Sequence, residues 1–136
     1  MNREEIKLTL PHREPMLLLD TFEREEDGRC RATYRIPEDA FFCQGHFPGD
    51  PIVPGVILCE IMAQACLCLL GDELEGHIAV YRAIDGVKFR NAVHPGDLCE
   101  ISGRIIDRKA GLVACEARVD VAGRRACSGN LSFAVV

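Results

Sequence analysis

Four things are missing from this 136-residue sequence, and each removes a class of function. No CxxC pair occurs among the eight cysteines (Cys30, Cys43, Cys59, Cys66, Cys68, Cys99, Cys115 and Cys127), and none is followed by paired histidines, so a zinc site lacks its ligand spacing. Several of these cysteines sit in apolar runs, where a reduced thiol serves as a small hydrophobe. No dense run of Lys and Arg occurs: 16 basic residues lie scattered against 21 acidic ones, the net charge is -5, and a nucleic-acid backbone finds nothing to hold it. No apolar stretch of about 7 to 15 residues follows the charged start MNREEI, so a secretory leader is not supported and a cytoplasmic protein is expected. The 12 Gly and 7 Pro are neither periodic nor gathered into tracts, which excludes collagen-like, linker and disordered chains.

What is present is a folding sequence, 48% hydrophobic and 27% charged, of a length that suits one domain spanning 1–136. Residues 3–10 can form a helical turn or two, closed by Pro11. An apolar run at 16–22 and an alternating run at 30–36, separated by the turn-prone 23–28, predict a hairpin. The stretch 37–55 carries Pro37, Gly45, Pro48, Gly49, Pro51, Pro54 and Gly55 beside Phe41, Phe42, Phe47, Ile52 and Val53, which makes it a long irregular segment with its own hydrophobic anchors. Ordered connections of that length are usually functional.

From 55 to 70 the chain predicts a helix that is apolar all round except for Glu60 and Gln64, four residues apart on one face. These two residues and the Pro54-Gly55 start are costly in hydrocarbon, so the segment reads as a core helix with no membrane span. Strands are predicted at 77–81, 83–90, 98–107, 112–121 and 125–135, the fourth with Val113, Cys115, Ala117, Val119 and Val121 on one face and Glu116, Arg118 and Asp120 on the other. One early buried helix followed by a meander of strands predicts an antiparallel sheet wrapped around that helix, an α+β architecture.

His46 stands in Gly45-His46-Phe47-Pro48-Gly49, with Pro51, Pro54 and Gly55 close behind. Proline presets φ and glycine admits conformations other residues avoid, so the backbone around this imidazole is held on a rigid platform. That setting favours a general base over a merely structural histidine. His12, His77 and His94 lack such surroundings and are expected to be structural or surface residues. Glu60 is an acid within an apolar helix. Burial raises a carboxyl pKa, and a carboxylic acid kept protonated near neutrality can donate its proton, although a structural ion pair would place an acid there equally well. Gln64, one turn on, can orient it. Gly55 opens the helix, where an N–H can polarise a carbonyl oxygen. Base, acid and oxyanion donor are what elimination of water next to a carbonyl requires, so neither metal nor redox cofactor is expected.

The segments LPHREPMLLLD at 10–20, FFCQGHFPGDPIVPGVILCEIMAQA at 41–65 and IDGVKFRNAVHPGD at 84–97 together resemble the (3R)-hydroxyacyl-acyl-carrier-protein dehydratases of the FabZ type. The resemblance implies a hot-dog fold, a strongly bent antiparallel sheet around one long central helix. It implies a homodimer with two composite sites, commonly built into a hexamer as a trimer of dimers, in which His46 of one subunit meets Glu60 of the other. By position, His46 would take the C2 proton of a β-hydroxyacyl thioester and Glu60 would protonate the departing C3 hydroxyl, giving a trans-2-enoyl thioester in fatty acid biosynthesis. The Gly55 N–H would bind the thioester carbonyl, the Ile52 carbonyl would orient His46, Gln64 would hold Glu60, and the Phe47-Pro48 bond would be cis. The acyl carrier protein is acidic, which makes Lys88 and Arg90 candidate docking residues, with solvated strand charges the alternative.

Glu14, Asn91, Ala92 and His94 depart from the family's usual residues, and Cys43 looks like an extra residue before the GHFP segment. Rival functions are a hot-dog hydratase or thioesterase acting on acyl-coenzyme A, and a non-catalytic module that binds acyl chains or carrier protein.

Overall fold

A four-residue strand at one edge and an eleven-residue strand at the other bound a six-stranded antiparallel sheet in the computed structural model, which describes residues 1–136. In chain order the elements are α1 (Arg3–Ile6), β1 (Thr21–Arg24), β2 (Cys30–Arg35), a 3₁₀ turn (Phe41–Cys43), α2 (Gly55–Cys68), a second 3₁₀ turn (Gly71–Leu74), β3 (Ala79–Phe89), β4 (Leu98–Lys109), β5 (Leu112–Val121) and β6 (Arg124–Val135). The sheet order is β1-β2-β4-β5-β6-β3, so β3 crosses to the far side and pairs only with β6.

The sheet's inner face closes on α2, which packs against β2, β4, β5 and β6. Alternation sets this directly: Val113, Cys115, Ala117 and Val119 of β5 are buried while Arg118, between two of them, is exposed. Ile61 and Met62 of α2 are fully buried, each contributing roughly 1.5–3 kcal/mol of hydrophobic stabilisation. Sheet and helix approach so closely at Gly103 that a Cβ there would lie 2.8 Å from Cys66 Sγ. All eight cysteines are free and buried in this core.

Two sequence expectations are corrected. The first strand is not 16–22: it begins at Thr21, and Leu17, Leu18 and Leu19 are buried without joining the ladder. Their backbone groups are taken by side chains instead, the Arg3 guanidinium donating to the Leu17 and Leu19 carbonyls at 3.1 and 2.9 Å and the Leu18 N–H donating to Gln64 Oε1 at 2.8 Å. The expected strands 77–81 and 83–90 are one strand, β3, with a register irregularity between Tyr81 and Ala83.

Candidate active site

His46 sits in a loop that closes on itself. Its carbonyl accepts from the Ile52 N–H at 2.7 Å, its own N–H donates to Cys43 at 3.1 Å, and Phe47 and Asp50 exchange backbone bonds at 3.0 and 2.9 Å. The imidazole Nδ1 lies 2.9 Å from the Ile52 carbonyl oxygen. A carbonyl can only accept, so Nδ1 carries the hydrogen and Nε2 is left with a free lone pair, the form a general base requires. The Phe47 ring stacks on the imidazole with centroids 4.1 Å apart. The cis bond expected at Phe47-Pro48 is found one residue earlier, between His46 and Phe47, and a second lies at Glu14-Pro15.

Gly55 is the first residue of α2, and Pro54 before it offers no side-chain cap. The Gly55 amide has no partner within the chain. A Cβ at this position would meet the Phe89 ring at 2.9 Å, so glycine is what allows β3 to close over the helix start.

Glu60 lies one and a half turns further along, its side chain about one-fifth exposed. Gln64 is wholly buried and fully bonded: Oε1 accepts from the Leu18 N–H, and Nε2 donates to the Met16 carbonyl at 2.8 Å and to Glu60 Oε2 at 3.0 Å. The backbone contacts fix which end of the amide faces the acid. On the other side His12 Nε2 lies 3.5 Å from the same Glu60 oxygen, and the Tyr81 hydroxyl of β3 donates to the neighbouring Cys59 carbonyl at 3.4 Å. His12, read from sequence as a structural or surface residue, is thus brought against Glu60. The signal missed was its place in a Pro-flanked arm whose fold cannot be seen without the tertiary structure. The expected upward shift of Glu60 is also corrected. Burial pushes its carboxyl up, but His12, Gln64 and Tyr81 push it down by more, and the net direction is below the ordinary value.

Gly55 and Glu60 do not share a face: five residues of α-helix turn the chain through about 140° from one whole revolution. The unpaired edge of β3 exposes Val80, Tyr81, Ile84 and Phe89, and Phe47 and Val56 are exposed on the same chain.

Lys88 and Arg90 are exposed at the end of β3 and line a cavity of about 400 Å³ together with Arg29, Arg118 and Arg125, with Glu116 the one acid. Strand register explains the grouping. Lys88, Ser128, Arg118, Ser102 and Arg31 stand directly opposite one another across five strands, a basic row assembled from residues far apart in the chain. Arg125 is held by Asp120 at 2.7 Å and Arg31 by Glu25 at 3.2 Å, while Lys88, Arg90 and Arg118 have no acidic partner.

The family departures are structurally placed. Glu14 binds Lys7 and Arg3 at 3.0 and 3.2 Å, and its own backbone N–H together with these cations holds its carboxyl at about 2. Asn91 ties the end of β3 to β6, donating to the Arg125 carbonyl at 2.6 Å and accepting from Arg124 at 2.9 Å. Cys43 is a buried plug in the turn before His46. His94 is exposed beside Asp97, and nothing in the structure explains Ala92.

A model of the FabA-like domain matches residues 10–130. Among curated proteins, the chain is 39% identical to 3-hydroxyacyl-[acyl-carrier-protein] dehydratase FabZ of Natranaerobius thermophilus over 97% of this chain and 95% of that protein. It is 38% identical to the protein of the same name from Streptococcus equi subsp. zooepidemicus, over 98% and 97%. Among solved structures, the dehydratase heterocomplex ApeI:P from Xenorhabdus doucetiae superposes with a TM-score of 0.78 at 19% identity, covering 95% of this chain and 89% of that one. A hypothetical thioesterase with coenzyme A from Streptococcus pneumoniae superposes at 0.63 and 16% identity, covering 85% and 84%. At these identities the two structures speak for a shared hot-dog fold alone.

Proposed function

Because the chain belongs to the FabZ-type 3-hydroxyacyl-[acyl-carrier-protein] dehydratases of the FabA-like family, we propose that His46, Glu60 and Gly55 carry out its elimination of water from a (3R)-hydroxyacyl thioester. The observation that carries the assignment is an imidazole whose Nε2 lone pair is fixed by the Ile52 carbonyl, near in sequence to a helix that opens with a free amide. His46 Nε2 takes the C2 proton while the Gly55 N–H stabilises the negative charge that develops on the thioester oxygen. The C2 electron pair forms the C2=C3 bond, the C3–O bond breaks, and the hydroxyl leaves as water with the proton of Glu60. In the free chain Glu60 is held toward its ionised form, the form that accepts a proton from water when the reaction runs as hydration. Bound substrate and a second subunit add burial, the one influence here that raises the carboxyl.

The site is completed by a second copy. Gly55 and Glu60 lie on different sides of α2, and β3 offers an unpaired apolar edge for two-fold pairing. In such a homodimer His46 and Gly55 of one subunit face Glu60 of the other; a hexamer would be a trimer of these dimers. Carrier protein docks on Lys88 and Arg90, with Arg118 extending the same unpaired positive patch toward an acidic partner.

The test is hydration of a short trans-2-enoyl-acyl-carrier-protein followed by mass spectrometry, for the wild type and for His46→Ala and Glu60→Ala. Water addition by wild type that disappears in both variants supports the assignment. Turnover at wild-type rate in either variant, or release of free carrier thiol in place of hydration, overturns it.

A further inference from the structure

We propose that His12 is a positioning residue for the acid of this reaction: from the N-terminal arm its Nε2 holds Glu60 Oε2, so that Glu60 Oε1 is the oxygen that carries and delivers the proton. The inference rests on the assignment of Glu60 as the acid and adds a residue on a different element to it.

Three observations converge. The first is geometric. His12 Nε2 lies 3.5 Å from Glu60 Oε2, the same oxygen that accepts from Gln64 Nε2 at 3.0 Å, while Oε1 accepts from no N–H of the chain. An oxygen faced by two N–H groups is a poor seat for a proton, because a hydroxyl there would meet donors on both sides. The proton of the neutral acid is therefore directed to Oε1.

The second is the other ring nitrogen. His12 Nδ1 is buried and has no hydrogen-bond partner. A hydrogen on Nδ1 would be an unsatisfied buried donor, so the neutral ring places its hydrogen on Nε2, toward Glu60. Nothing on the ring's far side competes for that orientation. At 3.5 Å the contact is of the kind that tightens when substrate binds.

The third is that the arm is built to hold the ring there. The neighbouring Arg13 guanidinium donates to the Leu10, His12 and Lys7 carbonyls at 2.9, 2.7 and 3.1 Å, and Gln64 anchors Met16 and Leu18 just beyond. Gln64 thus ties the arm and Glu60 together from the α2 side, and His12 ties them from the arm side. The groups that face Glu60 are His12 from the arm, Gln64 and the Cys59 thiol from its own helix, and the Tyr81 hydroxyl from β3; among them His12 alone can become a cation.

The sign of the effect follows. His12 stabilises the ionised carboxylate, so removing its donor raises the pH at which Glu60 loses its proton. The experiment compares the wild type with His12→Phe, which keeps a ring and loses the donor, and His12→Gln, which keeps an N–H without the possibility of charge. The exposed His77→Ala serves as a control. Rates of enoyl-thioester hydration are measured across pH, and the Glu60 carboxyl is titrated by 13C NMR in protein labelled at glutamate, with Glu60→Gln identifying the resonance.

The expected result for His12→Phe is a kcat lowered about tenfold or more with little change in KM, and a Glu60 titration moved upward. His12→Gln restores most of the rate and returns the titration toward the wild-type position. A Glu60 titration unchanged in a folded His12→Phe overturns the inference even if activity falls, since a structural role alone would do that. The NMR titration needs no turnover, so a wild type inactive on enoyl thioesters would refute the assignment of the reaction while leaving the His12–Glu60 contact separately measurable.

Discussion

Replacing Gln64 by leucine tests how the site is joined to the fold. The side chain is wholly buried and makes three hydrogen bonds: it accepts from the Leu18 N–H and donates to the Met16 carbonyl and Glu60 Oε2. Leucine fills nearly the same volume, so packing is roughly kept and the polar loss stands alone. Leu18 is fully buried and its orphaned N–H finds no water, a penalty of about 1–3 kcal/mol. Met16 is 38% exposed, so its carbonyl can turn to solvent at a smaller cost. Together the loss is about 2–4 kcal/mol, which for a chain of this size lowers Tm by about 10 °C. Thermal unfolding followed by circular dichroism at one fixed protein concentration measures it, with enoyl-thioester hydration measured alongside. Gln64→Glu sharpens the case. It keeps an acceptor for Leu18 but offers the Met16 carbonyl no donor and buries a second carboxylate against Glu60, so it should be no more stable than Gln64→Leu and no more active. A fall in Tm of less than about 2 °C for Gln64→Leu would refute the reasoning, because it would mean that the two backbone groups find other partners.

Three further outcomes are expected. Gly55→Ala puts a methyl against the Phe89 ring at 2.9 Å and displaces the helix-start amide, so turnover should fall about 10²-fold, as for loss of one oxyanion donor, while the protein stays folded. Turnover unchanged would remove Gly55 from the mechanism. Lys88→Glu and Arg118→Glu should raise KM for an acyl-carrier-protein substrate several-fold at low salt and leave a small pantetheine thioester unaffected, and an equal effect on both substrates would argue against docking at this patch. Burial pushes the thiols of Cys68, Cys99 and Cys127 up to about 12, so they ionise later in the folded than in the unfolded chain. Their contribution to stability is complete below the unfolded-thiol pKa of about 8.5 and is lost as pH rises through 12, so urea midpoints should decline on the alkaline side and a thiol reagent at pH 8 should find the eight cysteines only after unfolding.

Local features were legible in the chain itself. The apolar run from Val56 onward can only be a buried helix, the Gly- and Pro-set stretch around His46 can only be an irregular platform, and the alternation at 112–121 is a half-buried strand, because each depends on residues within a few positions of one another. The same holds for Glu60 and Gln64, which one helical turn brings together.

What the tertiary structure decided are the encounters between distant residues. Leu17 to Leu19 look like a strand until Arg3 and Gln64 take their backbone groups. His12 looks like an ordinary surface histidine until the arm folds back 48 residues to reach Glu60, and that contact, with Gln64 and Tyr81, reverses the direction in which burial alone would move the acid. Cations that are scattered along the sequence become a row across five strands because antiparallel register sets Lys88, Arg118 and Arg31 on one line. Periodicity encodes which face a residue takes; register and long-range hydrogen bonding, which depend on every other segment having found its place, determine what it meets there.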